Sequence, residues 1–185
     1  NGSFSACTCE IDANRTLTVG ADTYIELEND IVVDGTLVVK HTGNVVQRME
    51  DAQVIKGLSA VINVELATPV LQTRDFMVMG SPMTADTRGG VFTNAFLVLD
   101  HHPLDFIPYA GVPQGATNFS DDNGNFWTSY TGTINPAEGY IVRPQSGYSD
   151  PANVSYDMTY FEGTLNSGPI SRPAIFNGAT PNPDG

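Results

Sequence analysis

Basic residues are scarce in this chain. Eight lysines and arginines stand against 21 aspartates and glutamates in 185 residues, a formal net charge of −13. Contacts to nucleic-acid phosphates need cations from the protein, so this balance argues against nucleic acid as a partner. It disfavours an anionic lipid surface for the same reason. The excess of carboxylates favours solubility and loose association with divalent cations. Long apolar runs are missing too. No segment approaches the roughly 18 apolar residues needed to cross a bilayer, so membrane insertion is not expected. The start, Asn1-Gly2-Ser3-Phe4, lacks the basic region and apolar run of a signal peptide. We therefore expect a piece of a longer protein whose targeting signals lie elsewhere.

Cysteine is nearly absent, with Cys7 and Cys9 alone. On a single strand over Ala6 to Ile11 both would face one way. A disulfide across one residue is strained and closes almost no loop, and two thiolates cannot complete a four-ligand zinc site. The plain expectation is two small buried thiols, with a disulfide between them or to another chain as the alternative. Sustained 3.6-residue periodicity is also missing, which predicts little helix. There is no Gly-x-Ser-x-Gly, no His-Glu-x-x-His and no Gly-rich phosphate loop followed by Lys and Ser or Thr. Carboxylate pairs for glycoside hydrolysis stay open in so acidic a chain, but no enzyme is expected.

What is present is turn chemistry and short strands. Gly (18) and Pro (12) punctuate a sequence that is 41% hydrophobic and 16% charged, which fits many short strands. Residues 16–57 read as two imperfect copies of one unit. Thr16-Leu17-Thr18-Val19 is echoed by Thr36-Leu37-Val38-Val39, and Ile31-Val32-Val33-Asp34-Gly35 by Val54-Ile55-Lys56-Gly57. Three short strands per unit, parted by Gly, Asn and Asp, predict a three-sided parallel coil in which stacked turns bury one continuous stripe. A meander of hairpins is the rival, since Asp34-Gly35 is also a hairpin signal. Leu58 to Leu66 either begins a third turn or leaves the coil.

After Pro69 the composition shifts to more aromatics, Gly and Pro. Strands are predicted at Phe76–Met79, Ala95–Leu99, Phe126–Tyr130 and Gly139–Arg143. Met158–Phe161 is expected to form a hairpin with Thr164-Leu165 across Glu162-Gly163. The predicted class is all-β: short parallel β-solenoid (β-helix-like) turns over residues 1–66, an antiparallel β-sandwich or jelly roll over 67–176, and a linker or truncated tail at 177–185.

Three groups could carry chemistry. Asp121, Asn123 and Asn125 take positions 1, 3 and 5 of a calcium-loop spacing, which makes calcium the one cofactor to consider. Phe126 and Gly132 then break the pattern where Gly and Glu belong, so an Asx-rich turn is the alternative. His101-His102, with Asp100 and Asp105, could hold a metal or act as acid and base. Adjacent histidines on a strand point to opposite faces, however, and an exposed loop pair is the plainer reading. Trp127, Tyr130 and Tyr140 are candidate ligand-binding aromatics, able to stack on apolar sugar faces. Core and edge packing is their alternative role.

Several segments resemble large secreted surface proteins of Bacteroidetes, gliding flavobacteria in particular. The resemblance rests on Leu17-Thr18-Val19, Asp34-Gly-Thr-Leu-Val-Val39 and Gly43-Asn-Val-Val-Gln47. It continues in Arg74-Asp-Phe-Met-Val-Met-Gly-Ser-Pro82, Trp127-Thr-Ser-Tyr-Thr-Gly-Thr133, Pro136-Ala-Glu-Gly-Tyr140 and Phe161-Glu-Gly-Thr-Leu-Asn-Ser-Gly168. It implies export through type IX secretion machinery, an extracellular, cell-surface location, and a role in adhesion or gliding motility. Surface glycans or other surface proteins would be the partners. The last hairpin is not followed here by the Gly-Asn-Pro-Tyr strand seen in such proteins, and no sorting domain is present. The function expected is a non-enzymatic adhesin module. A carbohydrate-binding module of a secreted hydrolase and a structural stalk or filament unit are the alternatives.

Overall fold

A computed structural model describes residues 2–105, 126–147 and 152–175. The candidate calcium ligands Asp121, Asn123 and Asn125 lie outside these residues, as does the 177–185 tail. The protein is all-β, with one short α-helix, α1 (Arg88–Val91), and one 3-10 turn (Pro103–Asp105) among the described residues.

Nine strands occupy the first third: β1 (Phe4–Ala6), β2 (Cys9–Ile11), β3 (Thr16–Val19), β4 (Tyr24–Leu27), β5 (Ile31–Val33), β6 (Thr36–Val39), β7 (Asn44–Gln47), β8 (Val54–Lys56) and β9 (Val61–Ala67). They fall into three parallel sets, β1-β4-β7, β2-β5-β8 and β3-β6-β9, so the chain visits each sheet in turn, three times. The internal copies pair in the register the sequence predicts, with Leu17 against Leu37 and Ile31 against Val54. Alternation along each strand sends one set of side chains inward. Leu27, Ile31, Val33, Leu37 and Ile62 are completely buried, and Ile11, Val19, Ile25 and Val39 nearly so.

Three corners between strands adopt left-handed backbone, at Asn14 and Asp22, types that tolerate it, and at Thr42, a β-branched type that seldom does. Asn14, Asp22 and Thr42 have φ of 63°, 55° and 65°, a conformation costly for most L-residues. Successive corners touch: the Asp22 amide donates to Thr42 Oγ1 at 3.0 Å. Gly35 sits where two corners press together. A Cβ there would lie 2.3 Å from the Arg15 carbonyl oxygen and 2.4 Å from that of Asp12.

The remaining strands among the described residues are β10 (Met77–Met79), β11 (Leu97–His101), β12 (Trp127–Ser129), β13 (Tyr140–Arg143) and β14 (Asp157–Tyr160). Four of them form an antiparallel sheet in the order β10-β13-β11-β12. β14 instead joins the first part, antiparallel to β9, with Met158 against Leu66 and Tyr160 against Val64. β9 therefore does both things the sequence allowed: it pairs with β6 as a further parallel strand and then receives a strand from the second part.

Three expectations are corrected. The single strand over Ala6 to Ile11 is two strands, because the chain turns at Cys7-Thr8 to pass from one sheet to the next. Cys7 and Cys9 are free; Cys7 is exposed rather than buried, and Cys9 is half-buried, which raises its thiol pKa. The hairpin across Glu162-Gly163 does not form, since β14 pairs with β9 and Leu165 bridges to Met83.

Gly35→Ala should destabilise the fold by about 1–3 kcal/mol, because the backbone carbonyls of Asp12 and Arg15 leave no room for a methyl group. Gly89, with nothing within 4 Å of an added Cβ, is the control and should tolerate Ala. Leu37→Ala should cost about 2–5 kcal/mol, as for other buried leucines. Chemical denaturation midpoints would rank the three.

Candidate functional site

Antiparallel pairing of β11 with β12 sets His101 opposite Trp127. Their rings lie 4.6 Å apart at 38°, and Phe126 meets the His101 ring edge-on at 5.5 Å. Trp127 is half-buried and His101 exposed, so the pair offers aromatic surface to solvent. His102 looks elsewhere. Its Nε2 lies 3.2 Å from Asp100 Oδ2 and its Nδ1 3.6 Å from Asp105 Oδ2. The adjacent histidines thus split, one to an aromatic neighbour and one to two carboxylates. Among the described residues no cluster of three or more His, Cys, Asp or Glu side chains is arranged to hold a metal.

Tyr130 and Tyr140 form a second aromatic pair, with centroids 4.9 Å apart at 34°. Tyr140 is fully buried, so neither ring face is open to a ligand. Its hydroxyl accepts from the Asn135 amide (3.2 Å) and Asn135 Nδ2 (3.0 Å) and donates to Glu138 Oε2 (2.8 Å). Burial raises the Tyr140 pKa, and the bond to Glu138 adds to the rise against the Asn135 amide. The half-buried Tyr130 donates to the Thr133 carbonyl at 2.7 Å. Tyr140 therefore anchors the 133–138 turn, and of the three aromatics predicted to bind a ligand Trp127 and Tyr130 are half-buried and only Tyr140 is fully covered.

Sequence reasoning missed a pair of carboxylates that joins distant segments. Asp86 is fully buried. Its Oδ1 accepts from the amides of Phe161 (3.0 Å) and Glu162 (2.9 Å), and its Oδ2 from Ser81 Oγ (2.5 Å). Glu162 reciprocates, its Oε2 accepting from the Thr87 amide (2.7 Å) and hydroxyl (2.8 Å). Thr87 in turn caps α1 through the Gly90 amide. Next to this clamp, Asn166 donates from its amide to the Pro82 carbonyl at 2.8 Å and from Nδ2 to that of Ser81 at 3.0 Å. Lys56 Nζ reaches the Gly163 carbonyl at 3.1 Å, and Ser167 Oγ that of Ala52 at 2.6 Å. The Ser81-Pro82 segment and the Phe161 to Gly168 segment are thus two sides of one join, fixed onto the parallel sheets. The only prior signal was their polar and Gly-rich composition.

These segments lie within residues 2–183, all of which match a single family model described as a domain of unknown function (DUF8693). The chain belongs to the DUF8693 family. No curated protein and no solved structure matches it. In this DUF8693 chain the candidate chemistry lies in a half-buried Trp stacked on an exposed His and in a buried carboxylate join.

Asp86→Ala should cost about 3 kcal/mol, since it removes a fully buried carboxylate that accepts from two amides and a hydroxyl. A urea titration would read the loss. Glu138 makes a separate, pH-dependent contribution. Partial burial acts to raise its pKa, but hydrogen bonds from Tyr140 and Asn135, with the charges of Arg172 and His102, outweigh this and lower it. The resulting stability is present above the ordinary Glu range, about pH 4.3, and lost as pH falls through the depressed folded value. Glu138→Gln should flatten that acid limb in denaturation midpoints measured across pH.

Proposed function

We propose that this DUF8693 chain is a non-enzymatic module of a large secreted cell-surface protein, an adhesin acting in surface attachment or gliding and exported by type IX secretion. The parallel sheets are read as a short three-sided β-solenoid serving as spacer, and the antiparallel strands as one part of a β-sandwich that makes contacts. The observation that carries the reading is the outward aromatic pair, Trp127 against His101 at 4.6 Å. A half-buried Trp on the edge strand β12, stacked on an exposed His101, keeps part of its ring open for contact. The resemblance to Bacteroidetes surface proteins supplies the location.

The same pair favours a second reading, a carbohydrate-binding module of a secreted hydrolase, because a tryptophan face stacks on sugars. Trp127→Ala separates the two when tested on a glycan array and in attachment of coated beads to a surface. Loss of both bead attachment and glycan binding supports an adhesin that acts through sugars. Glycan binding without attachment favours the carbohydrate-binding module. Attachment that survives the substitution would sink Trp127 as the contact residue. Hydrolase activity abolished by one Asp or Glu change would overturn the non-enzymatic reading altogether.

A further inference from the structure

β7 ends its sheet, after β1 and β4. In a parallel pair, alternate residues turn their backbone groups to the same side. The Asn44 amide donates to the Thr23 carbonyl at 3.0 Å and the Arg48 amide to that of Leu27 at 2.9 Å. Val45 and Gln47 lie between, so their N–H and C=O groups point away from β4. Among the described residues these groups have no hydrogen-bond partner.

Of the other two parallel sheets, one ends at β8 and the other has its corresponding edge filled. β14 runs along β9 as the next strand, through Asp157 to Tyr160. Beside β7 the same layer holds a cleft of about 600 Å³ instead, with Val39, Val45, Val64, Leu165 and Asn166 in its lining. That volume lies in the range of ligand sites. Asn166 Oδ1 is buried there without a partner, while its Nδ2 is committed to the Ser81 carbonyl.

The geometry points to a peptide-binding site in which an extended segment of a partner protein adds to β7 as the next strand. Val45 and Gln47 supply two backbone donors and two acceptors. Alternate side chains of the guest face inward, continuing the column from Ile25 to Val45. The guest is therefore apolar at alternate positions. With a host at −13, it is neutral or cationic. This site stands apart from the Trp127 surface and does not depend on the adhesin reading.

The probe is acetyl-Gly-Thr-Leu-Val-Val-Lys-amide, a copy of residues 35–40, added to the full ¹⁵N-labelled chain. We expect saturable shifts centred on the Val45 and Gln47 amides. Val45→Pro removes an outward donor without touching the β4 ladder, and it should weaken binding about tenfold, equivalent to about 1.4 kcal/mol. Should that variant unfold, the wild-type chain decides with two peptides N-methylated at alternate residues. One should bind as the parent does and the other at least about tenfold more weakly, since only one set of N–H groups faces β7. Equal binding of the two peptides, shifts centred away from β7, or no saturation with the parent peptide would overturn the proposal. Concentration-dependent dimerisation that broadens the Val45 amide would also overturn it, by assigning the edge to a second copy.

Discussion

Parallel pairing is the constraint from which most of this architecture follows. A parallel neighbour cannot be reached by a hairpin; the chain must travel away and come back in the same direction. Residues 4–64 meet that demand by passing through two other sheets before each return, so Tyr24 finds Asn44 and Thr16 finds Thr36. Each inward position must then be compatible with the one above it, which gives columns such as Leu17, Leu37 and Ile62. Corners must stack as closely as strands do, and this is why Gly35 has backbone oxygens where a side chain would begin. Where the third circuit carries extra residues, 48–53, they are tied back to the preceding circuit. Ala52 is buried, and the Gln53 amide is held by Asp30 Oδ1 at 2.8 Å.

A stack of this kind has no internal reason to stop, because each new edge is a template for another strand. Here the reversal comes at β9, which accepts β6 on one side in parallel and β14 on the other in antiparallel. The buried carboxylate of Asp86 fixes that reversal, because it holds the amides of Phe161 and Glu162 immediately after β14. Burial, aided by the Asp86 charge, keeps the neighbouring Tyr160 phenol protonated well above its ordinary range. Its ring packs edge-on against Phe92 at 6.2 Å, beside the helix that Thr87 caps. One anion thus ties the end of the parallel stack to the start of the second part. An anion with three donors satisfied is affordable in a core where an unpaired one is not.

The parts legible in sequence are those governed by local repetition. Thr16–Val19 and Thr36–Val39 could be aligned by eye, and they pair in that register. The first circuit was harder to see, because Ser5-Ala6-Cys7-Thr8-Cys9 alternates like one strand and its corner carries no Gly, Asn or Asp. Glu162-Gly163 has the composition of a hairpin turn. Gly163 does adopt a left-handed φ of 86°, but that geometry brings the chain against Thr84 and Ala85 rather than back on itself. The fate of the aromatics was set by partners far away in sequence. Tyr140 lies inside because its sheet neighbours are β10 and β11, while Trp127 lies on the last strand of that sheet with His101 beside it. Asp86 and Asn166 gave no signal, since a buried carboxylate and an orphaned amide oxygen are defined by segments some 80 residues apart.

A bare edge strand is ordinarily an aggregation hazard, which sharpens the question of why β7 is left as it is. The edge is short, four residues from Asn44 to Gln47, and charge follows it: Arg48, paired with Glu26 at 2.5 Å, and then Glu50. The 165–170 segment forms the opposite wall of the cleft, held by Ser167 through Gln47 Oε1 at 3.0 Å and the Ala52 carbonyl. A long, flat sheet edge would invite indefinite pairing. A walled edge of four residues admits one short strand and then presents no further cleft. Such a geometry resists open-ended assembly while keeping two backbone donors and two acceptors available. That combination is expected where strand addition is selected for rather than tolerated.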